Sequence, residues 1–442
     1  MSTNLTSFEH KQVIHMLTDL PQKIKKGEAV VCVIGLGRVG LPLGIVLALS
    51  GLQVVGIDID KHKVSNIKSG KMPFYYPVMH GWLQKALSKG AFTASSQPKE
   101  SIEQCDVIIV TVGTPMGIYY QIDYSQLHFA IREVGEADLT NRAVIVRSTA
   151  VPGTMVNIVL PMLKRISGLR PGVDFALAAC PERILEGQAH TELYELPEII
   201  GAIDDLSGDI AQELFLKINS KKVILRTTPT AAELAKLFSN IYRYVGFALA
   251  NEFAIWAEKY GENASEIIRI ANDSYPRSRI PKPGFAGGPC LGKDGFLLDN
   301  NTTFSSIVSA AWKLNEGIPQ HIVASLMGEL GSLCGIKIAV LGLAFKANSD
   351  DVRLSPSAKL VEILRAYGAD VLVHDPNIKE TLPITEVLQS PDVVILATNH
   401  PAFTDVAASI DKSGCKIIYD VWNMFKPNDF TMAKYMGFGR AK

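Results

Sequence analysis

Short apolar runs of strand length alternate along this chain with longer stretches in which apolar residues recur at helical spacing. The first run, AVVCVI (29–34), ends in the glycines of GLGRVG and is followed by LPLGIVLALSG. This succession predicts a strand, a tight turn and a helix. Further strands are predicted at QVVGIDID, at 106–115 and at 143–150. Such an alternation is typical of a doubly wound sheet.

The same alternation recurs near the other end of the chain, without the glycine cluster. KIAVLGL predicts a strand, SPSAKLVEILRAYG a helix, and ADVLVHDP, DVVILATNHP and KIIYDVWN three more strands. When Gly342 is aligned with Gly35, the acidic residue that ends the second strand comes later, at Asp375 instead of Asp58. The extra residues match the loop 344–353, at the sheet edge where open α/β sheets bind ligands. A solvated polar loop is the alternative interpretation.

A long helical pattern, residues 230–261, separates the two ends. Its apolar residues recur at helical spacing and are Leu234, Leu237, Phe238, Ile241, Val245, Ala248 and Leu249. Gly261 is placed to end the helix, which would be about 45 Å long. Because that length exceeds the width of one domain, we expect the helix to link the two ends and to pack against another copy of the chain. Its charged residues exclude a membrane span.

The fold class predicted from these patterns is α/β, with two Rossmann-like, doubly wound parallel-sheet domains joined by a long central helix and a small helical domain. The predicted domains are an N-terminal extension (1–28), a first Rossmann domain (29–228), a central helical domain (229–332) and a second Rossmann-like domain (333–442). Residues 1–28 carry no recognisable motif.

Charge and composition narrow the class of partner. The 442 residues include 44 basic and 44 acidic side chains, so no general charge excess would attract nucleic acid or an anionic membrane. No stacking-aromatic motif of a nucleic-acid-binding protein occurs. No apolar run reaches the roughly 18 residues of a membrane-spanning helix, and the N-terminal segment lacks the apolar core of a signal peptide. We therefore expect a cytoplasmic protein.

The glycine cluster after the first strand fits the phosphates of a dinucleotide. Gly35 would make the tight turn, Gly37 would let the backbone approach a pyrophosphate, and Gly40 would allow close packing of helix on strand. Asp58 would accept hydrogen bonds from the ribose hydroxyls and repel a 2′-phosphate, which favours NAD over NADP. The alternative is an ordinary turn between strand and helix.

One of the six cysteines has unusual surroundings. The cysteines include no C-x-x-C pair and the nine histidines show no metal-ligand spacing, which argues against disulfides and leads us to predict no metal. Five cysteines lie in or beside predicted strands. Only Cys290 lies in a glycine-rich loop beside charged residues, GFAGGPCLGKD.

A nucleophilic thiol on the same chain as a dinucleotide site suggests oxidation of an aldehyde held on sulfur. A hemithioacetal would give up hydride to NAD, and the resulting thioester would be hydrolysed. The glycines of this loop would let a substrate carbon come close to the backbone. They are Gly284, Gly287, Gly288 and Gly292. On the residues alone, a buried thiol in a glycine-rich loop is an equal alternative.

Eight ordered motifs carry a resemblance to a known family. They are GLGRVGLPL, GIDID, TVGTP, STAVPGT, CPERILEG, AELAKLFSN, GFAGGPCLGKD and GLAFKANSDDVRLSPS. Together they resemble the UDP-glucose/GDP-mannose dehydrogenase family over nearly the whole chain. The resemblance implies an enzyme that oxidises C6 of a nucleotide sugar twice to a uronic acid, uses two NAD per turnover, binds a UDP-sugar in its last domain and forms a homodimer through the central helix.

The resemblance also implies roles for the matching residues. The catalytic set would be Cys290 as nucleophile, Lys236 and Asn240 for the oxyanion at C6, Asp294 as acid/base or water-orienting group, Glu182 for the hydrolytic water and Thr149 as its helper. Cofactor contacts would come from Gly35, Gly37, Arg38, Val39, Gly40, Asp58, Lys63, Thr114, Thr149, Lys293 and Arg353. Substrate contacts would come from Glu182, Arg183, Glu186, Lys236, Asn240, Gly287 and Lys346. Without the resemblance, Lys236 would be interpreted as a solvated lysine.

The sequence departs from the family pattern in three places. GPCLGKD lacks a proline that often precedes the lysine, STAVPGT shifts a proline, and CPER replaces the NPEF of glucose-specific members. The last departure resembles the branch that oxidises UDP-N-acetylmannosamine or UDP-N-acetylglucosamine for cell-surface polysaccharides. Arg183 would bond an acetamido carbonyl or a hydroxyl, or pair with a nearby acid. Oxidation of UDP-glucose, a nucleotide-sugar enzyme that uses NAD without net oxidation, and an inactive nucleotide-sugar sensor are the alternatives.

Overall fold

The computed structural model describes residues 17–117, 122–299 and 306–440, and it divides into two compact units between Phe238 and Ser239. Each unit is built on one sheet with apolar clusters on both faces. Among the described residues, no helix is long and apolar enough to cross a membrane.

The first unit contains eight strands. They are β1 (Val30–Ile34), β2 (Gln53–Ile57), β3 (Phe92–Ser95), β4 (Val107–Val110), β5 (Ala143–Val146), β6 (Ala176–Ala179), β7 (Glu198–Ala202) and β8 (Ile224–Thr227). Their order in the sheet is β3-β2-β1-β4-β5-β6-β7-β8. Neighbours pair in parallel except β6 and β7, so β7 and β8 run opposite to the other six. β4, β5 and β6 are buried throughout, as continuous apolar strands of a covered sheet should be.

Helices cover both faces of this sheet. They are α1 (17–26), α2 (Gly40–Leu49), α3 (Lys61–Lys68), α4 (Pro77–Ser88), α5 (Pro98–Ile102), α6 (Ser125–Glu136), α7 (Leu160–Ser167), α8 (Ala189–Glu195) and α9 (Asp205–Ile218). A π-helical turn, Met155–Val159, leads into α7. α2 is apolar all round and buried over nearly its whole length, which is the environment that such a helix requires.

A long helix, α10 (Pro229–Lys259), begins in the first unit and ends in the second. It matches the helix predicted at 230–261. Gly261 follows its end with a φ of +77°, a left-handed conformation that glycine adopts without strain.

The second unit contains five strands, all paired in parallel. They are β9 (Lys337–Leu341), β10 (Asp370–His374), β11 (Val393–Leu396), β12 (Ile417–Asp420) and β13 (Lys434–Gly437), in the order β10-β9-β11-β12-β13. The chain crosses over between β9 and β11, and open α/β sheets bind ligands at such a switch point.

The remaining helices of the second unit are short, except for α14. They are α11 (Ala264–Asn272), α12 (Leu291–Asp294), α13 (Phe296–Asp299), α14 (Ser306–Leu330), α15 (Pro356–Ala366), α16 (Ile384–Val387) and α17 (Ala407–Lys412). Two 3₁₀ turns lie at Pro401–Phe403 and Pro427–Asp429.

The predicted α/β fold with two Rossmann-like sheets is confirmed. The sequence patterns did not predict the reversal at β7 or the last strand, β13. The strand predicted at 106–115 spans only Val107–Val110, and residues 111–115 have no regular secondary structure. The four-part domain division stays a prediction.

Candidate active site

The glycine turn after β1 has the geometry of a phosphate-binding loop. Gly35 has a φ of +94°, and its N–H donates to the Ile57 carbonyl at 2.8 Å. A Cβ built on Gly40 would lie 2.0 Å from the Gly35 carbonyl oxygen, so only glycine fits there. A Cβ built on Gly37 would meet no described heavy atom within 4 Å. The turn is therefore tightly packed at Gly35 and Gly40 and open at Gly37, where a pyrophosphate would need room.

The start of α2 faces the same turn. Val39 is the N-terminal cap residue, and no side chain caps the helix. Within α2 the Leu41 N–H already donates to the Gly37 carbonyl at 3.1 Å and Pro42 has no N–H, so an anion would be bound by the N–H groups of the turn and of Gly40. With the open space at Gly37, these residues fit the NAD that the sequence predicts.

Asp58 supports the turn from the end of β2. Its Oδ2 accepts the Leu36 N–H at 2.9 Å and lies 2.8 Å from the Lys63 ammonium. Its Oδ1 accepts the Asp60 N–H at 3.0 Å. The carboxylate therefore holds the glycine turn and Lys63 together, in addition to the ribose contact predicted from the sequence.

Arg38 and Glu186 were predicted to contact cofactor and substrate respectively, and the structure pairs them. The Arg38 guanidinium lies 2.8 Å from Glu186 Oε1 and 5.0 Å from the centre of the Phe74 ring. Thr114 and Thr149 also meet, because the Thr114 hydroxyl donates to the Thr149 carbonyl at 2.5 Å.

Glu182 lies in a buried cluster of charges. Arg147, 2% exposed, donates to Glu182 Oε2 from Nε at 3.2 Å and also from Nη2. The other oxygen, Oε1, accepts the N–H groups of Arg183 and Ile184 at 2.7 and 2.9 Å. Burial alone would raise the pKa of Glu182, but the charge and hydrogen bonds of Arg147 with the two N–H groups outweigh it and lower the pKa. Glu182 is therefore held as an ionised carboxylate.

Glu198, the first residue of β7, completes this cluster. Its Oε1 accepts from Arg147 Nη1 at 2.8 Å. Burial raises the pKa of Glu198 to about 6, with Arg147 opposing the shift and the negative charge of Glu182 adding to it. Burial lowers the pKa of Lys222, whose ammonium donates to the Leu193 carbonyl at 2.7 Å. One arginine thus compensates two buried carboxylates.

Arg183, the residue that suggested an N-acetylated sugar, is engaged within the first unit. Its guanidinium donates to the Pro197 carbonyl, immediately before β7. A contact with an acetamido group stays a prediction.

Cys290 is exposed and immediately precedes α12, in the second unit. Asp294, 1% exposed, donates its N–H to the Cys290 carbonyl at 3.0 Å. The Asp294 carboxylate receives the Lys293 ammonium on Oδ1 at 2.8 Å and the Asn240 amide on Oδ2 at 2.7 Å. The structure therefore brings together Cys290, Asn240 and Asp294 of the predicted catalytic set with Lys293, a predicted cofactor contact.

Lys236 lies one helical turn before Asn240 on α10 and is buried. Among the described residues, no ion pair of its ammonium is found, and 8% of the residue is exposed. An ammonium in these surroundings suits an anionic partner, such as the developing oxyanion that the resemblance implies.

The glycines of the cysteine loop are required by packing within the second unit. Gly284, with a φ of +148°, lies against the Trp422 ring, and its N–H donates to Asn251 Oδ1 at 2.8 Å. A Cβ on Gly287 would lie 2.5 Å from Pro356 and one on Gly288 2.5 Å from Phe345. Of the four glycines, only Gly292 would have no described heavy atom within 4 Å of an added Cβ. Three of the four glycines thus have a structural reason that sequence reasoning missed, and a substrate contact at Gly287 stays a prediction.

The loop 344–353 follows β9, as predicted. The Lys346 ammonium lies 5.8 Å from the centre of the Phe345 ring, and the Arg353 guanidinium pairs with Asp351 at 2.6 Å. The predicted contacts of Lys346 with a nucleotide sugar and of Arg353 with the cofactor stay predictions.

Sequence reasoning missed several polar residues that organise these sites. They are Arg147, Glu198, Glu233, Asn251 and His400, all buried. Glu233 accepts the N–H groups of Gly153 and Met155 at 2.6 and 2.9 Å. For Arg147 a signal was available, because an arginine directly after the apolar run AVIV must find a buried partner.

Three family descriptions match this chain in succession. The NAD binding domain of the UDP-glucose/GDP-mannose dehydrogenase family matches residues 29–219, its central domain residues 230–317 and its UDP binding domain residues 339–427. The first match contains the glycine turn and Asp58, the second contains Cys290, and the third contains the loop 344–353.

Individual relatives match over most of the chain. UDP-N-acetyl-D-mannosamine dehydrogenase of Pyrococcus horikoshii is 38% identical over 90% of this chain and 96% of its own length. A solved structure of UDP-D-ManNAc dehydrogenase from the same organism superposes with a TM-score of 0.87 at 36% identity, covering 93% of this chain and 99% of that one. The structure of a UDP-glucose dehydrogenase from Pyrobaculum islandicum superposes with a TM-score of 0.83 at 28% identity, covering 93% and 98%.

Along the chain, the three matches cover the first sheet, the cysteine loop and the second sheet in turn. The relatives are matched over nearly their full lengths. With its NAD binding domain and its UDP binding domain, the chain belongs to the UDP-glucose/GDP-mannose dehydrogenase family of NAD-dependent nucleotide-sugar dehydrogenases.

Proposed function

We propose that this protein oxidises the C6 alcohol of a UDP-N-acetylhexosamine, UDP-N-acetylmannosamine or UDP-N-acetylglucosamine, to the uronic acid, as a step towards a polysaccharide. The observation that carries the reaction is the exposed Cys290 beside the buried Asp294, Lys293 and Asn240. The similarity to UDP-N-acetyl-D-mannosamine dehydrogenase supports the N-acetylated sugar.

The first oxidation converts the alcohol to an aldehyde. The C6–H bond breaks with its electron pair, the hydroxyl loses its proton, and a C=O double bond forms. Bound NAD supplies the hydride acceptor, once for each of the two oxidations. The buried Lys236 and the Asn240 amide would stabilise negative charge on the C6 oxygen, because donors already in place cost no reorganisation.

The second oxidation takes place on sulfur. The Cys290 thiolate adds to the aldehyde carbon, forming a C–S bond and a hemithioacetal. Loss of the second hydride from C6 gives a thioester. Asp294 would hold the loop in register for this addition, since its backbone N–H and its carboxylate tie Cys290 to Asn240.

Hydrolysis then releases the product. Water adds to the thioester carbon, the C–S bond breaks, and the product leaves as a carboxylate with the Cys290 thiolate restored, while the two protons of the water pass to solvent. Glu182 is the residue assigned to this water. Since its carboxylate is ionised and held by Arg147, it is suited to orient a water molecule, and accepting a proton would require weaker contacts with Arg147.

The structure also supports the proposed homodimer. Five large apolar side chains are exposed on α10 or on the residue directly after it, and we call them the α10 stripe: Phe238, Tyr242, Leu249, Trp256 and Tyr260. Tyr242, Leu249 and Trp256 are seven residues apart and so lie on one face of the helix. Exposed apolar surface of this extent on one helix is typical of a protein interface.

NADH formation should be measured with UDP-N-acetylmannosamine, UDP-N-acetylglucosamine, UDP-glucose and GDP-mannose. We expect about two NADH per sugar and the highest kcat/KM with one of the N-acetylated sugars. Preference for UDP-glucose would refute the proposed substrate, and substoichiometric NADH would refute the double oxidation.

The Cys290→Ser variant should form no uronate and still bind NAD, because an alkoxide forms far less readily than a thiolate.

A further inference from the structure

A buried imidazole outside the proposed catalytic residues connects several elements of the second unit. His400 follows β11 at the carboxyl edge of the sheet and is 1% exposed. Its ring packs edge-on against Phe403, with the centroids 5.6 Å apart. The proposed reaction gives this histidine no chemical step.

The hydrogen-bond partners of His400 define its tautomer. Nδ1 lies 3.2 Å from the Asn348 backbone N–H, which can only donate, so Nδ1 is the acceptor. The Asn377 amide lies 3.3 Å from the same nitrogen. Nε2 lies 3.1 Å from Asp375 Oδ2 and therefore donates to it. The imidazole joins the loop 344–353, through Asn348, to the end of β10, through Asp375.

Asp375 holds the beginning of the same loop. Its Oδ2 also accepts the N–H groups of Leu343 and Ala344, at 2.8 and 3.0 Å. The hydrogen bonds of the buried His400 lower the pKa of Asp375, against the opposing effect of burial. The pair therefore binds the segment 343–348 at three backbone N–H groups. Asn348 has a φ of +56°, so the chain bends sharply where His400 holds it.

The residues that follow this segment, up to Leu354, contact the cysteine loop. The Leu354 carbonyl accepts the Gly288 N–H at 2.9 Å, and a Cβ built on Gly287 would lie 2.7 Å from the same oxygen. Leu354 has a φ of +50°, which is unfavourable for a leucine and persists only where its surroundings impose it. The Phe345 ring also packs against Gly288, where an added Cβ would lie 2.5 Å from it. The segment 343–354 is thus fastened by His400 and Asp375 on one side and supports the loop of Cys290 on the other.

We propose that His400 is a positioning residue that sets both the nucleotide-binding loop and the cysteine loop. This proposal rests on the proposed function, and it assigns to the His400–Asp375 pair the coupling between binding of the UDP group and placement of the thiol. Because Lys346 and Arg353 lie in the held segment, loosening it should weaken UDP binding and change the reactivity of Cys290 together.

His400→Leu removes the acceptor and the donor, and His374→Leu is the matched control. His374 lies 6.0 Å from the same Phe403 ring and donates to the Leu382 carbonyl, away from the segment. In His400→Leu we expect the dissociation constant for UDP and the KM for the UDP-sugar to rise about tenfold, since a buried N–H loses its acceptor. The rate of Cys290 alkylation by iodoacetamide should change as well, while the affinity for NAD stays at the wild-type value. His374→Leu should resemble the wild type in all four measurements.

Wild-type UDP affinity and wild-type alkylation in folded His400→Leu would overturn the proposal, and so would an equal effect in His374→Leu. If His400→Leu does not fold, His400→Gln and Asn377→Ala carry the test. Each should weaken UDP binding about two- to fivefold, and wild-type values in both would overturn the proposal. UDP binding and alkylation need no turnover, so a wild-type protein that oxidises no UDP-sugar would refute the proposed function separately.

Discussion

The predicted role of Glu182 concerns the water that hydrolyses the thioester. Both of its oxygens are already engaged, by Arg147 and by two backbone N–H groups. Thiol addition and hydride transfer need no water, whereas thioester hydrolysis does. A defect at Glu182 should therefore appear only in the second half of the reaction.

Glu182→Gln retains size but loses the negative charge that would orient the water and take up its proton, which should slow hydrolysis by about 10²- to 10⁴-fold. With enzyme in excess over sugar, we expect a burst of NADH and a mass increase on the Cys290 peptide that hydroxylamine removes. Normal turnover, or a block before any NADH appears, would contradict this role and transfer it to Asp294.

Glu198 should make stability depend on pH. Its pKa rises from 4.5 to about 6 on folding, so its contribution to stability is complete below pH 4.5 and is lost as the pH rises through 6. The loss amounts to about 2 kcal/mol. Glu198→Gln removes this titration. The Tm of the wild type relative to this variant should therefore fall by several degrees between about pH 4.5 and 7.

Thermal unfolding across this pH range checks the expectation, and Glu195→Gln is the control because Glu195 is exposed. A constant Tm difference between wild type and Glu198→Gln at all pH values would mean that Glu198 is ionised throughout.

The site residues that the sequence predicted lie in recognisable motifs, whereas those it missed do not. Cys290, Lys236, Asn240 and Asp294 lie in motifs, and three of them meet in the structure at hydrogen-bond distance. Glu198 lies in no motif. Its partner is defined only by the direction of β7, which local patterns do not reveal.

At the scale of elements, the reversal of β7 explains the buried charge cluster. The antiparallel register pairs Ala178 with Ala202 and Ala179 with Gly201, so the residues after β6, which include Glu182, and the start of β7 at Glu198 come to the same edge of the sheet. Like charges in such positions repel each other, so a cation is required between them. Arg147, directly after β5, provides it from the neighbouring strand.

The packing of the cysteine loop on the segment 343–354 leads to a prediction for Gly288. Gly288→Ala would place a methyl group 2.5 Å from Phe345 at a φ of +94°. We expect kcat/KM to fall at least about tenfold, because strain and overlap together cost more than 1.4 kcal/mol. Binding of NAD should be unchanged.

Gly292→Ala is the matched change in the same loop, where a Cβ meets no described atom within 4 Å. It should lose much less activity. Equal losses in both variants, measured by steady-state kinetics with far-ultraviolet circular dichroism as a folding control, would show that contact with Phe345 is not the reason for glycine at 288.

At the scale of the whole molecule, the α10 stripe leads to a prediction about assembly. Tyr242, the second residue of the stripe, is 74% exposed. Tyr242→Glu should convert a dimer into a monomer in light scattering coupled to size-exclusion chromatography, because a charge would be buried in an apolar interface. Met432→Glu, at an equally exposed apolar residue outside the stripe, should leave the mass unchanged. A wild-type monomer, or a dimeric Tyr242→Glu variant, would contradict the proposed interface.

Most of the fold could be predicted from the sequence because its periodicities are local. The strand β1, the long helix α10 and the four strands β9 to β12 each have an apolar pattern of the right period. The direction of β7 and the contact between the cysteine loop and Phe345 depend on residues far apart in the chain. No local pattern carries that information.

The acid that supports the first glycine turn has a counterpart in the second unit. Asp58 accepts the Leu36 N–H at 2.9 Å, and Asp375 accepts the Leu343 N–H at 2.8 Å, while Gly35 and Gly342 each donate to the last residue of the adjacent strand at 2.8 and 2.7 Å. Each turn is therefore held by the same two hydrogen bonds, although only the first turn contains the cluster of glycines. The acid's further partner differs, a lysine that is part exposed beside Asp58 and a buried histidine beside Asp375. The first acid can exchange its cation with solvent, whereas the second is locked to a neighbour inside the protein.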